Sequence, residues 1–112
     1  WHVPTSTEFS ELFTVNGGGG GKLKETGFEH WDSPNTGAAN ETGFNALGAG
    51  RKPHGSCGWE DCFDGLKRVA FFWTTSVLGN NVTYLYIRHN ESIVRSAYIN
   101  PKYGFSVRCL KD

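Results

Sequence analysis

Residues 80–90, NNVTYLYIRHN, read as a strand with two unlike faces. Leu85 and Ile87 hold the odd positions of its centre, and Tyr84, Tyr86 and Arg88 hold the even ones. Side chains alternate across a strand, so one face is aliphatic and belongs against a core, while the other presents two tyrosines and an arginine. The function of this chain turns on what that second face does.

Neighbouring segments supply the sheet this strand needs. RVAFFWTT (68–75), SIVRSAYI (92–99) and GFSVRCL (104–110) are rich in β-branched and aromatic residues, and SVLGNN and HNE carry turn residues. Together these runs predict a small antiparallel sheet drawn mostly from the last ~45 residues. Upstream, PTSTEFSELFTV (4–15) is the one good helix. Thr5 and Glu8 have the spacing of a capping box, Phe9, Leu12 and Phe13 form an i, i+3, i+4 stripe, and NGGGGG ends it. From Asn16 to Arg68 no period is sustained, yet Phe28, Trp31, Phe44, Leu47, Trp59 and Phe63 are scattered among Gly, Asn, Ser and Pro. Such a stretch predicts a long ordered loop pinned to the core, since a disordered linker would lack the aromatics. The order helix, long loop, sheet is that of an α+β fold.

Composition narrows the functions. With 112 residues, 38% hydrophobic content and fifteen glycines, the chain fits one small, loop-rich domain over residues 1–112. Its net charge is zero and no run of Lys or Arg exceeds a pair, so the positive field that nucleic-acid binding requires is absent. No apolar run approaches the ~20 residues that span a bilayer. The chain opens on Trp1 without Met, and an export signal or anchor upstream is therefore expected.

Catalytic and metal signatures find little support. The five successive glycines lack the spacing of a phosphate loop and a lysine followed by Ser or Thr, which makes them a turn. Cys57 and Cys62, in SCGWEDC, are close enough to close a small loop and leave Cys109 unpaired; a disulfide or buried thiols outweigh a zinc site, because no second cysteine pair and no histidine stands at ligand spacing. No metal or cofactor is expected. His2, His30, His54 and His89 sit in separate segments. His30, beside Glu29 and near Asp32 in FEHWDSPN, has the composition of an acid–base pair, but a hydrogen-bonded structural histidine is the better reading. With no nucleophile elbow or HExxH motif, a non-enzyme is expected. Sequons at Asn40, Asn81 and Asn90 lie in turn-like sequence and match chance in an asparagine-rich chain.

Two readings of the tyrosine face remain. In one, Tyr84 and Tyr86 are strand formers on a half-exposed sheet or under the long loop. In the other they anchor a binding surface, with Asn80, Asn81, Thr83, Arg88, His89, Asn90, Glu91, Arg95, Ser96, Tyr98, Asn100 and Lys102 around them. Tyrosine offers large rigid contact area and the small polar groups offer adaptable hydrogen bonds, which is the composition of binding loops.

WHVPTSTEF, GGKLKETGFEHWDSPNTGAANETGFNALGAGR, FFWTTS and the terminal YGFSVRCLKD, taken in order, resemble the Fibrobacter succinogenes major paralogous domain over essentially the whole chain. That resemblance implies a C-type lectin-like fold with short helices, long ordered loops and a small antiparallel sheet, related to the formylglycine-generating enzymes and to the variable proteins of diversity-generating retroelements. It implies the C-terminal part of an exported protein of Bacteroidetes or related bacteria, extracellular or at the cell surface. By the same resemblance Trp1, Pro4, Trp31, Phe44, Leu47, Trp73 and Phe105 are scaffold, Arg108 is a structural ion-pair or hydrogen-bond donor, and Leu85 and Ile87 face the core. Asn80, Asn81, Thr83, Tyr84, Tyr86, Arg88, His89, Asn90, Arg95, Ser96, Tyr98 and Asn100 are then ligand-binding positions. They would form a displayed face on residues 74–102 of a bacterial or phage-encoded receptor or adhesin whose ligand is a protein or glycan on another cell or surface.

Certain features depart from the family pattern. ALGAG stands where ALPGG is usual and TTS where SST is usual, and the Cys-Pro that normally precedes Trp1 is missing, which leaves Cys109 without its usual partner. The insert KPHGSCGWEDCFDG is not general to the family, and the Glu-Pro-Asn motif of calcium-dependent sugar binders is absent. Two alternatives stand beside a binding face. One is an assembly module whose tyrosines pack on a neighbouring domain or a second copy. The other is a relative of the sulfatase-activating enzymes with Cys57 and Cys62 as reactive thiols.

Overall fold

A reciprocal pair of hydrogen bonds starts the first helix. The Glu8 amide donates to Thr5 Oγ1 (3.1 Å) and the Thr5 amide donates to Glu8 Oε2 (2.8 Å), which is the capping box read from the spacing. Helix α1, Ser6–Val15, ends as the sequence predicts: the Gly18 amide reaches the Phe13 carbonyl (2.7 Å) and the Gly17 amide reaches the Thr14 carbonyl (3.1 Å), with Gly17 at φ 76. That is a Schellman closure, and its left-handed residue favours glycine. The structure, a computed structural model, describes residues 1–15, 17–55 and 62–112.

Beyond α1 come a single 3-10 turn at Gly20–Leu23 and five strands: β1 (Ala49–Arg51), β2 (Asp64–Leu66), β3 (Val69–Leu78), β4 (Asn81–Arg88) and β5 (Arg95–Ile99). The sheet order is β2-β1-β3-β4-β5. All neighbours pair antiparallel except β1 with β3, so the sheet is mixed where an antiparallel one was expected. β1 and β2 went unread because three-residue strands, AGR and DGL, are too short to show a period. The segment GFSVRCL forms no named strand. Instead it makes isolated bridges, Gly104 to Lys52, Ser106 to Phe72 and Leu110 to His2.

β3 and β4 form the central hairpin around a two-residue Gly79-Asn80 turn, with Leu78 opposite Asn81 and Trp73 opposite Tyr84. Between Trp73 and Val77 the register shifts. Thr74 closes that bulge, since its Oγ1 donates to the Thr83 carbonyl (2.7 Å) and accepts from the Ser76 amide (3.2 Å). Ser76 Oγ in turn accepts the Ser6 amide (2.9 Å), which docks the start of α1 on the bulge.

The core lies on the odd face of β4. Phe9, Leu23, Trp31, Ala46, Ala70, Phe72, Leu85 and Ile87 form one buried cluster, and Leu12, Phe13, Phe44 and Val94 pack against it. Leu85 and Ile87 thus face the core as expected, and Trp31, fully enclosed, donates its indole N–H to the Ala46 carbonyl (2.9 Å). Of the loop's apolar residues Trp31 and Phe44 pin it to the core, whereas Phe28, Phe63 and Leu47 are exposed. The scaffold assignments of Trp1 and Leu47 fall, and so does the ion-pair role of Arg108. Trp1 is 76% exposed, its amine paired with Asp112, and Arg108 makes no ion pair among the described residues but lies over the Phe44 ring at 4.6 Å. Cys62 is disulfide-bonded and Cys109 is free and exposed; the expectations for Cys57 and Trp59 fall outside the described residues.

Candidate ligand-binding face

Cross-strand pairing divides the expected binding residues between the two sides of the sheet. Tyr84 faces Ala97 and Tyr86 faces Arg95, whereas Thr83 faces Tyr98 and Leu85 faces Ser96. Directly paired residues of an antiparallel ladder project to the same side. Tyr84, Tyr86, Arg88 and Arg95 therefore lie on the even face of β4, and Thr83, Ser96 and Tyr98 on the side of Leu85, with Ser96 and Tyr98 exposed there.

On the even face the aromatic rings have partners of their own. Phe71, Trp73, Tyr84, Tyr86, Tyr103 and Phe105 form a continuous layer: Trp73 and Phe105 centroids are 4.3 Å apart, Phe105 and Tyr84 4.7 Å, Phe71 and Phe105 5.0 Å, and Tyr84 and Tyr86 5.7 Å. The expectation that Tyr84 is displayed is corrected by this layer. Phe105, which the Ser106 bridge holds beside β3, covers Tyr84 and leaves it 9% exposed, and burial pushes its phenol pKa up. Tyr86 is half-buried, stacked on Phe71 at 30° and capped by the Arg88 guanidinium at 5.3 Å. Half-exposed rings of Trp73, Tyr86, Tyr103 and Phe105 make the outer surface of the layer.

Cations border this layer. Arg51 lies over Phe71 (5.2 Å) and Tyr103 (5.4 Å) and donates from Nε to Asp64 Oδ1 (2.9 Å) across the β1–β2 pair. Arg95 grips Glu91 with two hydrogen bonds (2.8 and 3.0 Å), which hold the Glu91 carboxyl below the usual range. A cleft of about 370 Å³ runs along the border, lined by Arg51, Lys52, Phe63 and Phe105 among others. Sequence reasoning took Trp73 and Phe105 for scaffold and missed Arg51 and Tyr103 as neighbours of the tyrosines. Tyr103 and Phe105 alternate within YGFS, which was the available signal; Arg51 arrives only through the parallel β1–β3 pairing.

The remaining expected positions surround the sheet ends. Asn80 lies in the hairpin turn and Asn81 opens β4 beside it, Asn100 Oδ1 accepts the Lys102 amide (2.9 Å) in a tight turn, and Asn90 is exposed in the β4–β5 connection. His89 donates from Nδ1 to the Ser33 carbonyl (3.1 Å), since a carbonyl only accepts. Lys24 fixes this connection from beneath. Fully buried, it donates from Nζ to the carbonyls of Arg88 (3.2 Å) and Glu91 (3.0 Å), and burial pushes its pKa down to about 8.

The expected structural role of His30 holds with a different partner. Its Nδ1 meets Glu25 Oε2 at 2.7 Å. Glu25, Glu29 and His30 each bring one donor atom within 4.8 Å of the others, the one such grouping among the described residues, with Glu25 half-buried and the other two exposed.

A family model, the Fibrobacter succinogenes major domain, matches residues 1–111. The chain belongs to that family. No curated protein and no solved structure matches it. Within this major domain the matched span takes in both ends of the aromatic layer, from Arg51 on β1 to Phe105 beside β3. No described helix is long and apolar enough to cross a membrane.

Proposed function

We propose that this chain is a non-catalytic ligand-binding domain of a bacterial surface or phage-encoded receptor or adhesin, C-type lectin-like in the wide sense, which works outside the cell. The observation that supports it is the aromatic layer on the even face of the sheet, half-exposed at Trp73, Tyr86, Tyr103 and Phe105 and bordered by guanidinium groups. Rigid rings give a ligand contact area at little entropic cost, and arginine adds directional donors. The binding surface in this reading is centred on Tyr86, Arg88 and Arg95, joined by Arg51 and Tyr103, with Tyr84 as a buried support. Retroelement diversification in this reading falls on the exposed or half-buried positions 86, 88–90 and 95 and spares Trp73, Tyr84, Leu85 and Ile87.

Glycan and peptide arrays probed with the purified domain test the proposal. Binders are then measured against Tyr86→Ala and Arg88→Ala. Anchor residues of this kind cost ~2 kcal/mol or more when truncated, about a thirtyfold loss of affinity. Unchanged affinity in both variants, for every binder found, refutes the reading.

A second reading, an assembly module, has its own support. Val77 (70%), Leu78 (53%) and Tyr98 (57%) are exposed near the hairpin tip and the unpaired edge of β5. Sedimentation over a range of concentrations tests it: a dimer lost in Val77→Asp favours assembly, and a monomer throughout rules it out.

A further inference from the structure

Two recesses meet at Arg108. The first, of about 190 Å³, lies between α1 and the C-terminal segment, with Pro4, Phe9, Leu12, Phe44 and Leu110 in its wall. The second, of about 430 Å³, lies between the long loop and the same segment; Ala46, Leu47, Phe72 and Val107 line it, with Asn45 and Ser106 as polar members. Phe44 and Arg108 belong to both linings. Phe9, Ala46 and Phe72 are core residues and Phe72 stands opposite Leu85, which puts this groove across the sheet from the aromatic layer.

Packing fixes both the wall and the cation. Phe44 stands edge-on to Phe72 (centroids 5.4 Å apart, 82°) and to Phe9 (6.2 Å, 63°), and the Arg108 guanidinium lies over its ring at 4.6 Å. The backbone is pinned on either side of Arg108. Ser106 exchanges hydrogen bonds with Phe71 and Trp73 of β3 (3.1 Å each), and Leu110 exchanges a pair with His2 (2.8 and 2.9 Å). Arg108 makes no side-chain hydrogen bond or ion pair among the described residues, so its guanidinium donors stand open where the two recesses join. An apolar recess with one unpaired cation beside it fits a ligand with an apolar body and one anionic end.

Charge sets the direction of that ligand. Glu8 is the one acidic group among the described residues of either lining; it stands in the first recess, where it accepts the Thr5 amide (2.8 Å) and meets His2 Nε2 at 3.1 Å. A carboxylate placed there would face Glu8, whereas an aliphatic chain meets Phe9, Leu12 and Leu110. On the other side of Phe44, Asn45 and Ser106 add polar groups beside Arg108.

We infer that the groove is a binding site for an aliphatic monocarboxylate, with the carboxylate on Arg108 and the chain in the recess beside Leu12 and Leu110. An apolar cavity of ~150 Å³ holds benzene, so the first recess takes a chain of about six to eight carbons. The site is separate from the Tyr86 face and does not rest on it.

Sodium octanoate, kept below its micelle concentration, is the probe, titrated into the ¹⁵N-labelled whole chain at constant ionic strength. Saturable shifts are expected at the amides of Leu12, Asn45, Arg108, Cys109 and Leu110, with none at Tyr86. Cys109 gives a second readout: it is free and exposed in the wall of the first recess, and octanoate should slow its reaction with a thiol reagent at the same half-saturation. Each methylene from butanoate to octanoate should tighten binding about fourfold, the gain for burying one CH₂, and acetate should give no saturable shift. Arg108→Gln weakens octanoate about tenfold and leaves octanol, which has no carboxylate, unchanged. Leu110→Asn weakens both. No saturable shift with octanoate, affinity that ignores chain length, or equal octanoate affinity in Arg108→Gln overturns the inference. So does a dimer in sedimentation that Arg108→Gln dissociates, because a second copy is then the occupant of the groove.

Discussion

Lys24 is a buried cation with no carboxylate partner among its hydrogen bonds, and stability should therefore depend on pH in a way that singles it out. Its Nζ lies in the core beside Trp31, at 5.4 Å from the ring, and its hydrogen bonds go to two backbone carbonyls. Burial alone lowers its pKa from 10.5 to about 8. Below about pH 8 the amine is charged both folded and unfolded, and the folded state carries the full desolvation penalty. Between about pH 8 and 10.5 the unfolded chain still holds the proton that the folded chain has released, so the unfolded state binds more protons and stability rises with pH. The interval from about 8 to 10.5 corresponds to about 3 kcal/mol as an upper value. The neutral amine still donates to the Arg88 and Glu91 carbonyls. Comparison with Lys24→Met isolates this contribution, because the other titrating groups are common to both proteins. Urea unfolding in steps from about pH 7 to about pH 10.5 should show the difference in stability moving toward the native lysine by up to about 3 kcal/mol. A difference constant to within about 0.5 kcal/mol would mean that Lys24 titrates like a solvated lysine, and the account of its burial would be wrong.

Three further outcomes follow from the packing. Gly50→Ala places a Cβ 2.3 Å from the Asp64 carbonyl oxygen at a φ of 68, so β1 and β2 must separate; a loss of about 3 kcal/mol or more in urea unfolding is expected, with the Arg51–Asp64 pair broken. Thr5→Ala removes the acceptor of the Glu8 amide and should cost about 1 kcal/mol by the same measurement, and no loss would show that the reciprocal cap contributes nothing. His2 lies between Asp112 and Glu8, whose hydrogen bonds raise its pKa, Asp112 most. A group with a raised folded pKa stabilises the protein at low pH and loses that contribution as pH climbs through it. An NMR titration of the imidazole should therefore show protonation persisting above the free-histidine range, and Asp112→Asn should shift it back down.

Helix, caps and central strands were legible because each is specified locally. Thr5 and Glu8 are three residues apart, Gly17 and Gly18 follow the last turn directly, and the alternation of Leu85 and Ile87 with Tyr84 and Tyr86 is complete within one strand. What escaped depends on contacts that join distant parts of the chain. β1 and β2 are three residues each and are defined by their partners, Gly50 against Ala70 and Arg51 against Asp64. Lys24 looks like any surface lysine in GGKLKET, and only the packing of the β4–β5 connection over it shows otherwise. Parity along β4 gave the right partition of the strand, but it could not carry over to β5. Which of Arg95, Ser96 and Tyr98 shares a face with Tyr86 depends on the register, and a one-residue slip exchanges the faces.

That register has a functional consequence. With Tyr86 opposite Arg95, the carboxylate of Glu91 falls between Arg95 and Arg88, so the connection between the strands is tied by one acid serving two arginines. Arg95 takes the short bonds and Arg88 is left with the long contact. One arginine therefore shapes the loop and the other remains available to a ligand. Were the register shifted by one, Arg95 would project to the core side with Ser96 in its place, and Glu91 would turn to Arg88. On this view Arg95 keeps Arg88 available on the aromatic face. Arg95→Ala, which frees Glu91 to pair with Arg88, should weaken any array binder whose affinity falls in Arg88→Ala. Unchanged affinity of such a binder in Arg95→Ala would show that Glu91 does not compete for Arg88.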